Sequence, residues 1–203
     1  QIEEIVFVTG HLHDRYDALA RRYDGRVRTV FNPDFATRGS AHSLAVGLAA
    51  VGEGDVLVSE SDLVWETRAL STVLDHAGPS CLLVSGLTDA GDEVWVWAAP
   101  GDAPPRLDDM AKRRDLRPDE PHGELVGLTR VGALLRARLV GAIAEAVDPM
   151  ADYESRLVAA AKSVPLPLMR VDDLAWAEID DETMYARART AVWPRIVARD
   201  GAA

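Results

Sequence analysis

The amino-acid sequence predicts an α/β fold: a three-layer α/β/α sandwich with a mostly parallel central sheet. Short apolar runs typical of buried strands alternate with segments of helical spacing almost from the first residue. Such an alternation favours strands joined by crossover helices, which cover both faces of the sheet. The length of 203 residues suits one large domain, and no convincing domain boundary interrupts residues 1–203.

Each element is predicted from its local pattern. Strands are expected where apolar runs end at turn residues, over 5–8, 27–31, 56–58, 81–84, 94–97, 125–128, 168–171 and 175–179. Helices are expected over 12–22, 41–51, 67–76, 131–147, 152–163 and 182–198. Ser40 and Asp152 are predicted N-caps, because short polar side chains satisfy the first free backbone N–H groups. Residues 100–121 are rich in Pro, Gly and charge and are expected to form a flap or loop insertion.

Composition limits the classes of partner. The formal net charge of −11 disfavours nucleic acid and anionic membrane surfaces, which an acidic protein repels. It does not exclude a nucleotide, because a bound divalent cation can reverse the local charge of a site. Cys81, the one cysteine, lies in an apolar run and is interpreted as a small buried hydrophobe. With no signal-peptide or membrane-span pattern, the cytoplasm is the expected location.

Two acidic groups stand where the pattern places strand ends. Asp62 follows the predicted strand 56–58, and the acidic run 178–181 closes the predicted strand 175–179. Ligands of open α/β sheets gather beyond the carboxyl ends of strands, and Mg²⁺ takes one or two carboxylates plus phosphate oxygens. One aspartate from each junction, Asp62 and an aspartate of the run 178–181, would therefore supply a magnesium site. The alternative is that Asp62 and Asp181 are helix caps or solvated loop acids.

An ordered set of motifs carries a resemblance through nearly the whole chain. The motifs are IVFVTGH at 5–11, VFNPDF at 30–35, SL at 43–44, VSESDLV at 58–64, DMAK at 109–112, GELVGL at 123–128, DYE at 152–154 and WAEIDD at 176–181. Together they resemble the bacterial phosphocholine cytidylyltransferases, which are relatives of the sugar-1-phosphate nucleotidyltransferases. The resemblance implies the nucleotidyltransferase/glycosyltransferase-A-like fold, Mg²⁺ as cofactor, CTP as nucleotide, and a small phosphorylated or phosphonylated alcohol such as phosphocholine as acceptor.

The resemblance also implies roles for individual residues. Asp62 and Asp180 would bind the metal, and Lys112 would contact substrate phosphate; these three form the predicted catalytic set. Nucleotide contacts are expected from Ser40, His42 and Ser43. Acceptor contacts are expected from Glu124, Tyr153 and Glu154. The acceptor set includes Trp95 as well, because aromatic faces and a carboxylate can hold a quaternary ammonium by cation–π attraction. For Trp95 and Tyr153 the alternative is core packing.

The sequence departs from the family in two places. The family opens with a strand and a glycine-rich loop that grips the triphosphate, and this sequence is expected to begin after them, truncated at its N-terminus. Arg38-Gly39-Ser40 stands where the family has a polar Asn-Asn pair. Three alternatives therefore stay open: a sugar-1-phosphate nucleotidyltransferase, a glycosyltransferase of similar fold, and a degenerate binding module. Release of pyrophosphate, as opposed to a nucleoside diphosphate, separates the first two.

Overall fold

A computed structural model describes residues 2–88, 90–101 and 103–201. Within these residues the strands are β1 (Ile5–Thr9), β2 (Val27–Phe31), β3 (Val56–Ser59), β4 (Leu63–Trp65), β5 (Cys81–Ser85), β6 (Trp95–Ala98), β7 (Leu107–Ala111), β8 (Gly123–Val131), β9 (Leu168–Val171) and β10 (Trp176–Glu178). The helices are α1 (His13–Ala20), α2 (Ser40–Ala50), α3 (Thr67–Leu74), α4 (Ala133–Ala144), α5 (Tyr153–Ala161), α6 (Glu182–Arg187) and α7 (Trp193–Asp200). This is the α/β class that the sequence predicts.

The chain divides into two compact units. The first comprises Gln1–Gly54 and Arg136–Ser163, and the second comprises Asp55–Leu135 and Val164–Ala203. Gln1, where the truncation is expected, lies outside the described residues. The single-domain interpretation stays a prediction.

In the first unit, β1 and β2 pair in parallel, with Ile5 opposite Val27 and Thr9 opposite Phe31. Helix α5 begins as predicted, because the Asp152 carboxylate accepts a hydrogen bond of 2.8 Å from the backbone N–H of Ser155. The predicted cap at Ser40 is wrong. Gly39 is the N-cap of α2, and no side chain caps this helix end.

A six-stranded sheet organises the second unit, in the order β7-β6-β8-β5-β9, with β3 also paired to β8. Strands β3, β5 and β6 run antiparallel to β8, β9 runs parallel to β5, and β7 runs antiparallel to β6. Four strands (β3, β5, β6 and β9) therefore point the same way, which is the mostly parallel sheet that was predicted. Direct neighbours are nevertheless mainly antiparallel, because the long strand β8 runs against the strands beside it.

The core of this unit lies on the sheet. Helix α3 places Ala69 and Val73, both fully buried, one turn apart on the face that packs against Leu83 and Val126. Burying a Val or Leu side chain contributes about 1.5–3 kcal/mol, so this face stabilises the packing of α3 on the sheet. A second cluster, centred on Ala177 of β10, packs the C-terminal helices.

The structure corrects several boundaries. Residues 107–111 form strand β7 and Arg114–Leu116 form a 3-10 turn, so the segment 100–121 carries more regular structure than was expected. The helix predicted over 182–198 is interrupted by a π-helical stretch, Ala188–Val192. Strand β4 was not predicted at all. No helix in the described part of the chain is both long enough and apolar enough to span a membrane.

Candidate active site

The second unit brings the two predicted acidic junctions together. Strands β4 and β10 are antiparallel, with Leu63 opposite Glu178. Asp62 immediately precedes β4 and Asp180 lies two residues beyond β10, so both acids project from the same end of this strand pair. The backbone N–H of Ile179 donates a 2.9 Å hydrogen bond to the carbonyl oxygen of Asp62 and fixes the junction.

A cluster of carboxylates surrounds this junction. Oxygens of Glu60, Asp62 and Glu178 lie within 4.8 Å of one another, and so do oxygens of Asp92, Glu178 and Asp180. Glu178 is common to both groups. Asp92 comes from the segment after β5, which points the same way as β3 and so ends at the same edge of the sheet. We name these five side chains the acidic cluster.

The surroundings of the acidic cluster disfavour the ionised form of its carboxylates. Burial, reinforced by the neighbouring carboxylates, raises the pKa of Glu178 to about 7. Burial also raises the pKa of Asp62 above its usual value; Asp180 raises it further, whereas Lys112 lowers it. Like charges held this close favour protonation of one of them or neutralisation by a cation.

The acidic cluster fits a divalent cation. The Oδ1 atom of Asp62 and the Oδ2 atom of Asp92 are buried and accept no hydrogen bond from the described residues. A buried carboxylate oxygen without a partner is costly, and coordination of a cation removes the cost. The backbone leaves room for Glu60 as well. Gly127 of β8 has a φ of +75°, a conformation that favours glycine, and a Cβ atom there would meet the Glu60 carboxylate.

Lys112 is near the cluster. It directly follows β7, its side chain is exposed, and its positive charge lowers the pKa of Asp62. The sequence contains only one other lysine, Lys162, among 22 basic residues. Lysine carries its charge on a compact ammonium group at the end of a flexible stem, which distinguishes it from the planar guanidinium of arginine.

Glu124 and Trp95, two predicted acceptor contacts, lie on neighbouring strands with their backbones paired. Glu124 is only 2% exposed, and its carboxylate accepts hydrogen bonds from the backbone N–H of Thr88 at 2.7 Å and from the Thr88 hydroxyl at 3.0 Å. Burial raises the pKa of Glu124 to about 7, although the Thr88 hydrogen bonds oppose the shift. Both carboxylate oxygens of Glu124 are therefore engaged within the fold.

The predicted nucleotide contacts belong to the first unit. The Ser43 hydroxyl accepts a 3.1 Å hydrogen bond from the Asn32 amide, and the Ser40 hydroxyl accepts one of 3.0 Å from the backbone N–H of Tyr153. His42 Nε2 lies 3.4 Å from the Asp34 carboxylate. His42 also lines a cavity of about 100 Å³ whose wall includes Arg38 and Asp148. Ser40 and Ser43 thus have structural partners, and His42 lies beside Asp34 at the wall of this cavity.

Tyr153 and Glu154 occupy the first turn of α5, also in the first unit. Tyr153 is 7% exposed, which favours packing over contact with a ligand. Glu154 is half-buried. The acceptor roles of these two residues stay predictions, as do the nucleotide roles of Ser40, His42 and Ser43.

Sequence reasoning missed part of the site. Asp92 was not singled out, although it stands in the acidic stretch between the strands predicted at 81–84 and 94–97, a position where a ligand-binding loop is expected. Glu60 and Glu178 were seen only as neighbours of the chosen aspartates. Their side chains join the cluster because β4 pairs with β10. Each of these strands is only three residues long, which is too short for an alternation of apolar and polar residues to predict the pairing.

Comparison with solved structures shows that this fold is similar to the fold of several nucleotidyltransferases. The inositol-1-phosphate CTP transferase from T. maritima superposes with a TM-score of 0.74 at 16% identity, over 96% of this chain and 77% of that one. The CTP:phosphocholine cytidylyltransferase from Streptococcus pneumoniae gives 0.67 at 19% identity, over 91% and 76% of the two chains. A putative glucose-1-phosphate thymidylyltransferase from Bacillus anthracis gives 0.69 at 12% identity, over 94% and 76%. No protein-family model matches the sequence.

Proposed function

We propose that this protein is a nucleotidyltransferase that transfers CMP from CTP to a small phosphorylated or phosphonylated alcohol, such as phosphocholine, and releases pyrophosphate. The acidic cluster carries the proposal. Its carboxylates converge beside a lysine, on a fold shared with enzymes that join nucleotides to phosphorylated alcohols and sugars. That combination suits two polyanionic substrates that must meet in an acidic protein.

A divalent cation such as Mg²⁺, held by Asp62, Asp180 and Glu178, would supply charge neutralisation at the triphosphate. The carboxylates would hold the cation at a fixed position, because β4 and β10 fix the backbones beside them. Glu178 is suited to the shared position, since its carboxylate lies within reach of both groups of ligands. The Oδ1 atom of Asp62, which is buried and accepts no hydrogen bond from the described residues, would be stabilised by the same cation.

The reaction itself requires little acid–base chemistry. An ionised oxygen of the acceptor's phosphate or phosphonate attacks the α-phosphorus of the nucleotide, and the bond from that phosphorus to the bridging oxygen of pyrophosphate breaks. The nucleophile is already an anion near neutral pH, so no strong general base is needed. Lys112 would place its ammonium group against a phosphate and lower the repulsion between the reactants. Catalysis is then mainly positioning and electrostatic stabilisation.

The choice of CTP and of a phosphorylated alcohol rests on similarity. Two of the superposed enzymes use CTP according to their names, and their acceptors, inositol 1-phosphate and phosphocholine, are phosphorylated alcohols. The glucose-1-phosphate enzyme extends the same chemistry to a sugar phosphate. All three acceptors present a phosphate monoester, which is the one group that the proposed reaction requires.

The test is a matrix of substrates with the full-length protein and Mg²⁺. Each of CTP, UTP, dTTP and ATP is combined with phosphocholine, phosphoethanolamine, 2-hydroxyethylphosphonate and glucose 1-phosphate, and pyrophosphate is measured together with the mass of the product. We expect pyrophosphate and a CDP-alcohol product from CTP, absent in the Asp62→Asn variant. Preference for glucose 1-phosphate would indicate a sugar-1-phosphate nucleotidyltransferase. In a parallel assay with UDP-glucose as the only nucleotide, release of UDP would indicate a glycosyltransferase. Nucleotide binding without turnover would indicate a binding module.

A further inference from the structure

Arg117 lies at the centre of a network behind Lys112. Its guanidinium carbon stands 5.8 Å from the centre of the Trp97 ring, a distance at which a cation and an aromatic face attract each other. The same guanidinium forms ion pairs with Asp108 of β7 and, at 3.1 Å, with Asp119. Arg117 therefore joins two strands of the sheet to the loop that connects β7 to β8.

Further hydrogen bonds hold this loop against the sheet. The Trp97 ring is fully buried, and its Nε1–H donates to the carbonyl oxygen of Asp119 at 3.0 Å. Arg114 donates to the carbonyl oxygens of Arg117 and Asp119 at 3.3 and 3.2 Å. The segment that the sequence suggests to be a flap is thus tied down by side chains that point back into the fold.

Lys112 has no such anchor of its own. It makes no hydrogen bond or ion pair with other residues in the described part of the chain. Its backbone is held from both sides, by Ala111 opposite Trp95 in the sheet and by the Arg117 network beyond the 3-10 turn. A lysine side chain has four rotatable bonds, so the position of its backbone decides which groups its ammonium can reach.

We infer that Arg117 is a positioning residue, which acts through Lys112 by fixing the loop in the conformation that directs the ammonium group to the acidic cluster. The inference rests on the proposed function, in which Lys112 contacts substrate phosphate. Arg117 itself touches Trp97, Asp108 and Asp119 and needs no contact with substrate. Lysine at position 117 could keep one ion pair, but it lacks the planar fork that spans both carboxylates and stacks on the ring.

A double-mutant cycle tests the inference. Lys112→Ala, Arg117→Ala and the double variant are compared by kcat/KM for pyrophosphate release. Arg113→Ala is the matched control, because the Arg113 side chain pairs with Asp115 of the same loop and with no other described residue. We expect Arg117→Ala to lose roughly tenfold to a hundredfold in kcat/KM, the scale of a 1 Å misplacement. In the Lys112→Ala background the same change should lose almost nothing, and Arg117→Lys should recover part of the rate. Full additivity of the two losses, or an unchanged Arg117→Ala enzyme, would overturn the inference.

A second measurement does not depend on turnover. Reductive ¹³C-methylation labels only Lys112 and Lys162 besides the amino terminus, and both lysines keep their charge. We expect Arg117→Ala to shift or broaden the Lys112 signal and to weaken its response to Asp62→Asn, while Lys162 stays unchanged. An unaltered Lys112 signal would overturn the inference even if the variant were less stable to heat.

Failure of the proposed function is distinguishable from failure of the inference. If the parent protein releases no pyrophosphate with any substrate pair, the proposed function fails, whereas the Lys112 signal still shows whether Arg117 fixes this loop. If Lys112→Ala is fully active, Lys112 has no role in catalysis, and the inference falls with it. If Lys112→Ala is strongly impaired while Arg117→Ala adds its full loss to it, only the positioning role of Arg117 falls.

Discussion

The backbone N–H of Ile179 donates a hydrogen bond of 2.9 Å to the carbonyl oxygen of Asp62. This bond joins two acidic junctions that lie more than a hundred residues apart in sequence. Because it uses only main-chain atoms, the side chains of Asp62 and Asp180 can be changed without removing the contact that brings them together. The acidic cluster can therefore be tested by isosteric substitutions.

Asp62→Asn and Asp180→Asn should each abolish most of the pyrophosphate release and weaken Mn²⁺ binding. The amide keeps the shape of the carboxylate but supplies no charge to a hard cation. Binding is measured by the electron spin resonance of free Mn²⁺, and folding by thermal unfolding, which should change little. A variant that binds Mn²⁺ and turns over like the parent protein would exclude that aspartate from the metal site.

Asp181 supplies the matched control for these substitutions. Its carboxylate caps α6 by accepting a 2.8 Å hydrogen bond from the backbone N–H of Met184, so the cap predicted for this residue is real. Asp181→Ala should lower the free energy of unfolding by about 1 kcal/mol, as for other lost caps, and leave Mn²⁺ affinity unchanged. If Asp181→Ala lost as much Mn²⁺ affinity as Asp180→Asn, the loss in Asp180→Asn would reflect a less stable helix α6 and would not show that Asp180 binds the metal.

Lys112→Ala should lower kcat/KM by well over tenfold, because a charge-assisted contact with phosphate contributes about 1.5–3 kcal/mol. Lys162→Ala, the change of the other lysine, should have no effect on activity. Steady-state kinetics with both substrates varied shows which substrate phosphate Lys112 contacts. Equal kinetics for the two alanine variants would show that Lys112 is a solvated surface residue without a contact to substrate phosphate.

Cation affinity should rise with pH through the neutral range. Glu178 has a pKa of about 7, so it is half protonated near neutral pH, and a carboxylate must lose its proton to bind metal. We expect Mn²⁺ affinity to increase between about pH 6 and pH 8, and the Glu178→Gln variant to bind more weakly with a flatter profile. If Mn²⁺ affinity depended on pH equally steeply in Glu178→Gln, the pH dependence would come from a group other than Glu178.

Glu124 should make the fold less stable as pH rises. Its pKa is about 7 in the folded protein and about 4.3 in an unfolded chain, so the folded state retains the proton over a range where the unfolded state has lost it. Its contribution to stability is therefore complete below about pH 4 and is lost as pH rises through 7. Urea unfolding at several pH values should show this decline reduced in Glu124→Gln. An unchanged acceptor KM in that variant would favour the structural role that its bonds to Thr88 indicate, whereas a raised KM would support the predicted acceptor contact.

The sequence predicted the elements whose patterns are local. Strands at 27–31 and 168–171 coincide with β2 and β9, because their apolar runs are closed by turn residues. Strand β7 was missed because the run Leu107-Asp108-Asp109-Met110-Ala111 is acidic, and it owes its place to β6 and to the pairing of Asp108 with Arg117. The local pattern predicts that Asp62 and Asp180 stand beside strand ends. What joins them is the pairing of β4 with β10, a long-range contact that no local pattern encodes.

The acceptor's alcohol group can be examined through Trp95. Trp97, its neighbour on the same face of β6, is buried with the Arg117 cation over its ring, so Trp97 is not free to hold a ligand. Trp95 is only half-buried, and if it contacts a quaternary ammonium, Trp95→Leu should raise the KM for phosphocholine by about two- to thirtyfold, the range of a cation–π contact. The KM for 2-hydroxyethylphosphonate, which has no cation, should change little, and this substrate is the internal control. Tyr153→Leu is the companion variant, with Tyr153→Phe retaining the aromatic face. Equal effects on both substrates would assign Trp95 and Tyr153 to packing, and the acceptor would then be selected by its phosphate or phosphonate alone.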